Sequence, residues 1–229
     1  MEMNNYLKKK MRISNLTEFE KISLPKLENE MDLYLNSLNS NQILKESMRY
    51  SVDAGGKRIR PLLVLISAYS LGKKISKSDY QVAGSLELLH TYSLIHDDLP
   101  EMDNDELRRG KPTNHKKFGQ AIAVLAGDGL LTTSFEWLSL TDIDNDKKIK
   151  LISQLALAAG PQGMVSGQTD DILGESKKYN LEEILKLDEK EKEDIKEFNI
   201  NYAKYILEKG KNGEITFTFT SSRSYKIPN

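Results

Sequence analysis

Two long apolar runs with helical periodicity, Gln81 to Ile95 and Gln120 to Leu140, constrain the fold more than any other feature of this 229-residue chain. Each predicts a helix buried over much of its surface, and the second holds the sole tryptophan, Trp137. Ahead of them Leu27, Met31, Leu33, Leu35, Leu38, Ile43 and Leu44 form a rough amphipathic stripe that stops at Gly55 and Gly56. Pro61 then sits where a first helical turn tolerates proline. Asp142 to Lys148 reads as a polar connection, with a further helix expected from Ile149 through Asp171. Long apolar helices joined by short polar links pack antiparallel, so the expected fold class is all-α, an antiparallel helix bundle.

Directly after the first run, His96 to Gly110 packs six carboxylates and two arginines into fifteen residues. Carboxylates this close repel one another unless a hard cation joins them, and Mg²⁺ takes one or two protein carboxylates together with substrate phosphate oxygens. Arginines can hold the same phosphates directly. The pattern therefore reads as a polyanion site built on magnesium. A solvated acidic helix face is the bland alternative; it leaves the paired Arg108 and Arg109, Pro100 and the apolar approach unexplained. His90 and Asp97, seven apart, fall on nearly one helical face, whereas Asp97 and Asp103, six apart, lie about 120° out of phase. The helix must end or bulge between those aspartates, and Pro100 supplies a reason.

Upstream, Gly55-Gly56-Lys57-Arg58-Ile59-Arg60-Pro61 sets three cations behind two glycines. Glycine allows close approach of backbone to a phosphate, and Lys57 and Arg60 share a face if the segment is helical. The glycine spacing and the missing Ser or Thr exclude a P-loop. A basic helix start explains this turn alone equally well; beside the acidic cluster it suggests one diphosphate held by cations and another by metal. Charge is nearly balanced, at a formal net −1, so no global field points to nucleic acid or an anionic membrane. The absence of cysteine excludes disulfides and thiolate metal sites. No apolar window has membrane-spanning length, and Met1 to Leu16 lacks the core of a signal peptide, so a cytoplasmic, soluble protein is expected.

Taken in order, these segments resemble the short-chain trans-prenyl diphosphate synthases of the bacterial farnesyl diphosphate synthase type. The match runs through Gly55 to Pro61, then His90-Thr91-Tyr92-Ser93-Leu94-Ile95 into Asp97 to Arg109, then Gly110-Lys111-Pro112-Thr113. It continues through Lys117-Phe118-Gly119, Leu125-Ala126-Gly127-Asp128 and Gly163-Met164-Val165-Ser166-Gly167-Gln168 with Asp171. The resemblance implies an isoprenoid synthase bundle, Mg²⁺ as cofactor, a homodimer, and head-to-tail condensation of isopentenyl diphosphate with dimethylallyl or geranyl diphosphate. It further implies that Asp97 and Asp103 hold Mg²⁺ with Asp98 in support, and that Arg108 stabilises the leaving diphosphate. Gly56, Lys57, Arg60, His90 and Arg109 would position isopentenyl diphosphate, while Gln168 and Asp171 line the opposite wall. Tyr92, five residues before Asp97, would floor the pocket and hold the product to the fifteen-carbon farnesyl chain.

The resemblance stops near Leu187. The lysine-threonine motif and second aspartate-rich motif that it leads one to expect are not found in Lys186 to Asn229. Thr169 to Leu173 looks like the heart of that second motif but falls within the earlier glycine-glutamine helix. The expected organisation is a helical domain over 1–187, the N-terminal part of the family fold without its C-terminal helices, followed by a divergent tail over 188–229. In the tail, Ile195, Phe198, Tyr202, Tyr205 and Ile206 suit an amphipathic helix. Ile215, Phe217 and Phe219 alternate like a strand, with disorder or pairing to another chain equally open. Leu94, Ile122, Leu125 and Leu155 are expected to face water unless the tail or a second copy covers them. Three readings follow: a prenyltransferase; a weakly active or inactive relative that binds magnesium diphosphate as a partner subunit; and a structural helical protein with relic motifs, against which the joint retention of Asp97, Asp103, Arg108, Arg109, Lys57 and Arg60 argues.

Overall fold

A computed structural model describes residues 16–174. The expected tail helix, tail strand and boundary at 187 lie outside the described residues. Eight helices and one short hairpin make up the rest, so the all-α expectation holds. The expected stripe before Gly55 is divided between two helices. α1 (Leu16–Ser37) buries Phe19, Ser23, Leu27, Met31 and Leu35, a strict four-residue spacing that draws one seam along the helix. α2 (Gln42–Val52) starts at Asn41, whose side chain accepts from the Ile43 N–H at 3.0 Å, satisfying one of the donors a helix start leaves open.

α3 (Ile59–Ser70) and α4 (Lys77–Asp97) follow. α4 begins earlier than its apolar run suggests because the Asp79 carboxylate accepts from the Ser76 N–H at 2.7 Å and from the Ser76 hydroxyl at 2.6 Å. That cap, further anchored by Lys73, fixes a start that hydrophobicity alone does not mark. After α4 come β1 (Leu107–Arg108), β2 (Lys111–Pro112), α5 (Asn114–Phe118) and α6 (Gln120–Ser139).

α4 and α6 form the centre of the bundle, and α4 also takes α1 and α3 on its flanks. Their crossing is built from two reciprocal fits. Trp137 of α6 occupies the space where a Cβ on Gly84 of α4 would stand, and His96 of α4 occupies the space where a Cβ on Gly127 of α6 would stand. The earlier glycine meets the later aromatic in both directions, as an antiparallel pair requires. Trp137 is 2% exposed and stacks on Tyr34 of α1 at 4.5 Å, which ties the third helix to the same point.

The single helix expected from Ile149 through Asp171 is two helices, α7 (Asn145–Ala159) and α8 (Met164–Gly174). Pro161 forces the break, because the residue before a proline is driven out of the helical region, and Gly160 is indeed extended at φ −87°, ψ −162°. The polar connection is correspondingly shorter, since helix resumes at Asn145. Leu155, expected to face water, is 1% exposed and belongs to the core. Leu94 and Ile122 are half-buried, while Leu125 does face outward at 52%. No helix among the described residues is long and apolar enough to cross a membrane.

Candidate functional site

α4 ends at Asp97, as the spacing of the aspartates demands. The chain then folds back on itself: the Asp103 N–H donates to the Asp97 carbonyl at 2.9 Å and the Asn104 N–H to the Leu99 carbonyl at 3.0 Å, with Asn104 in the left-handed region at φ 52°. The backbones of Asp97 and Asp103 are thus brought together although no regular helix could align them. Gln168 of α8 donates to Asp97 Oδ1 at 2.7 Å, which sets α8 directly against the acidic cluster. Asp171, one turn further along α8, is half-buried on the same side.

The hairpin was not foreseen, and it decides what the paired arginines do. Arg108 pairs with Lys111 across a two-residue loop, Arg109 and Gly110, at φ 56° and φ 76°. Positive φ at both positions is what a type I′ turn needs. Adjacent arginines are thereby separated. Arg108 turns back to Asp98, with Nε at 2.6 Å and Nη2 at 2.5 Å from Oδ1, and its Nη2 lies 3.5 Å from Asp105 and 3.9 Å from Asp97. Burial pushes the Asp98 carboxyl upward against the pull of Arg108, so the pair holds together by direct contact. Asp98 is buried and its contact is with arginine; its place in the geometry is to hold Arg108.

Arg109 goes the other way and lies against Gly56, where a Cβ would stand 2.7 Å from Cζ and from both terminal nitrogens. The glycine is required there by its φ of 134°, and a side chain in its place would displace the Arg109 guanidinium. The turn is held from below by Arg58, itself left-handed at φ 47°. Its guanidinium is 2.7 Å from Glu28, 2.8 Å from Glu87 and 2.7 Å from the Val52 carbonyl. α3 begins only at Ile59, so the helical face expected to unite Lys57 and Arg60 does not form; Lys57 stands exposed on the turn.

Arg60 Nη1 lies 3.2 Å from His90 Nε2. A guanidinium can only donate, so Nε2 accepts and the proton of the neutral ring is on Nδ1. Burial, then Arg60, Arg109, Arg108 and Arg58, pull the His90 pKa down to about 3. The imidazole is therefore neutral at any working pH, and the histidine senses a positive field suited to an anion. Tyr92 lies elsewhere: on an ideal helix it is about 140° from Asp97, on the flank that meets α6. Its ring is buried and meets the His96 imidazole edge-on at 5.5 Å. Burial and then Asp128 of α6 raise its phenol pKa.

Among the described residues, no three His, Asp or Glu side chains converge as a ready-made metal cage. The adjacent Asp97 and Asp103 offer two hard oxygen donors, a set that suits Mg²⁺ when phosphate completes the coordination. Sequence reasoning placed Arg58 and His96 in their motifs without a role of their own and overlooked Glu28 and Glu87. Glu87 carried a signal, a charge flanked by Leu86 and Leu88 inside an apolar run, because such a charge is buried only with a partner.

Residues 41–199 match the polyprenyl synthetase family. The farnesyl diphosphate synthase of Geobacillus stearothermophilus is 52% identical over 163 residues, covering 69% of this chain and 54% of that protein. That of Bacillus subtilis is 47% identical over 180 residues, covering 77% and 60%. An FPP/GFPP synthase structure from Zymomonas mobilis superposes with a TM-score of 0.76 at 35% identity, covering 86% of this chain and 73% of that one. The chain thus spans little more than half the length of these curated relatives. Matched over most of its length in sequence and in fold, the chain belongs to the polyprenyl synthetase family.

Proposed function

We propose that this chain is a Mg²⁺-dependent prenyltransferase, condensing isopentenyl diphosphate with dimethylallyl or geranyl diphosphate to a short-chain product, farnesyl diphosphate. The observation that carries this reading is the division of the arginines between two seats. Gly56, Arg109, Arg60 and a neutral His90 suit a diphosphate held without metal. Arg108, fixed on Asp98 beside Asp97 and Asp103, suits one held through metal. Asp97 and Asp103 would hold Mg²⁺, which when bound neutralises the allylic diphosphate as a leaving group. Arg108 faces the charge that develops as the allylic C–O bond breaks. The homoallylic double bond of isopentenyl diphosphate then supplies the electrons of the new C–C bond, and loss of a proton restores neutrality at carbon. Gln168 orients Asp97 by its 2.7 Å contact. Lys57 and Asp171 are assigned to substrate binding with these groups, and Tyr92 to limiting chain length. The resemblance brings with it a homodimer and a cytoplasmic location.

A turnover assay with isopentenyl diphosphate, geranyl diphosphate and Mg²⁺, with chromatographic sizing of products, tests the proposal. Farnesyl diphosphate is expected, and it disappears with chelator and in Asp97→Ala. Tight binding of both diphosphates with no product would make the chain a binding subunit instead.

A further inference from the structure

The Leu-Ala-Gly-Asp segment of α6 has no place in the chemistry above, yet it holds one of the two closest approaches in the bundle. Gly127 lacks a Cβ where the His96 ring lies, and any side chain there would collide with Nε2 and Cδ2. Through that gap His96 Nε2 reaches the Val124 carbonyl at 3.0 Å. A carbonyl only accepts, so Nε2 carries the proton and the ring is fixed in tautomer and in orientation. The same ring meets Tyr92, one turn back on α4, edge-on at 89° between planes. Asp128 lies 3.8 Å from His96 Nε2 and also acts on the Tyr92 phenol. His96 therefore stands against Tyr92, seated on Gly127, with Asp128 acting on both side chains.

We propose that His96, seated in the gap at Gly127, is a positioning residue that locks the Tyr92 ring and thereby sets product length. The inference rests on the prenyl-transfer reading and deepens it. A floor residue limits a growing chain only if its ring cannot swing aside, and a buried ring wedged by a second, hydrogen-bonded ring is denied other rotamers. Gly127→Ala expels the imidazole by collision; His96→Ala removes it without one. Both free Tyr92.

The test is the chain-length distribution made by the full chain with isopentenyl and geranyl diphosphates, alongside NMR of the ligand-free protein with labelled tyrosine and histidine. Gly127→Ala and His96→Ala are expected to raise the ratio of twenty-carbon to fifteen-carbon product by roughly tenfold or more and to shift the Tyr92 ring resonances. Adding His96→Ala to Gly127→Ala restores folding if the first substitution impairs it. In a Tyr92→Ala background His96→Ala should add nothing, since the two act as one unit. Unchanged product length and unmoved Tyr92 resonances in His96→Ala would overturn the proposal, as would a shift additive to that of Tyr92→Ala. If the unaltered chain makes no prenyl product, the prenyl-transfer reading fails on its own, and the Tyr92 resonances still decide whether His96 and Gly127 hold that ring.

Discussion

Arg58 and Arg108 have the same kind of partner, carboxylates, and opposite roles. Each guanidinium contacts two or three carboxylates at 2.5 to 3.9 Å. Arg58 is 2% exposed and Glu87 is 3% exposed, so that pair sits in the protein interior. Arg108 keeps 30% of its side chain open, and only Asp98 beneath it is buried. Where both ions are buried, the contact fixes the chain path from α2 into α3 and removing one partner strands the other. Where one ion reaches the rim, the buried partner acts as a post that holds the exposed one in place, and under the proposed function that exposed guanidinium meets the diphosphate. Burial, rather than the identity of the pair, separates architecture from function.

Arg58→Ala is the most severe way to break this contrast. It leaves Glu87 buried and unpaired, and should cost about 3 to 5 kcal/mol of stability, read by denaturant unfolding. A loss comparable to that of a surface pair would show that the pair is not a lock. The positive field on the same side can be measured through His90. Its folded pKa lies near 3, below its ordinary value, so the unfolded chain binds the proton first as pH falls. Stability should therefore drop between about pH 6 and pH 4, at up to about 1.4 kcal/mol per unit from this group. His90→Gln should flatten that part of the thermal unfolding profile; an unchanged slope would show that His90 does not titrate as described.

Arg108→Ala should do the reverse of Arg58→Ala. Calorimetry with geranyl diphosphate and Mg²⁺ should show a loss of about 1.5 to 3 kcal/mol in binding, with stability falling by about 1 to 3 kcal/mol, less than in Arg58→Ala, because only Asp98 is left buried without its partner. A large stability loss with intact binding would merge the two arginines into one class. The smallest effect is expected from Arg60→Lys, which keeps the charge and loses the planar fork at His90. Binding of isopentenyl diphosphate should weaken by about 0.5 to 1.5 kcal/mol and that of geranyl diphosphate not at all. Equal weakening of both would contradict two separate seats.

The long helices and the break after Asp97 were legible because apolar periodicity and the six-residue separation of Asp97 and Asp103 are local properties. The break at Gly160 was equally local, yet the continuous apolar pattern concealed it and Pro161 decided it. The hairpin at Arg109 and Gly110 was hidden for a different reason: two-residue strands carry no periodicity, and only the glycine hints at the turn. The site residues were legible as a set of charges, whereas their sorting was not. Nothing local tells that Arg108 reaches Asp98 while Arg109 reaches Gly56, or that Arg58 leaves its basic neighbours for Glu28 and Glu87. The hairpin makes the first of those choices, and helix packing, which brings residues thirty positions apart into contact, makes the last.

The two glycine seats on α4 and α6 have a mechanical consequence. Gly84 and His96 are about 18 Å apart along α4, and each end is keyed to α6 by an aromatic ring in a space that admits nothing larger. Two bodies keyed at two separated points can neither slide nor swivel, so α4 and α6 form the stator of this protein. Any movement that accompanies ligand arrival is left to parts attached to the stator by side-chain hydrogen bonds, namely α8 through Gln168 and the hairpin through Arg108. Both of those attachments end on the neighbouring carboxylates Asp97 and Asp98, so a diphosphate bound as proposed, competing with those carboxylates for Gln168 and Arg108, loosens the two moving parts together.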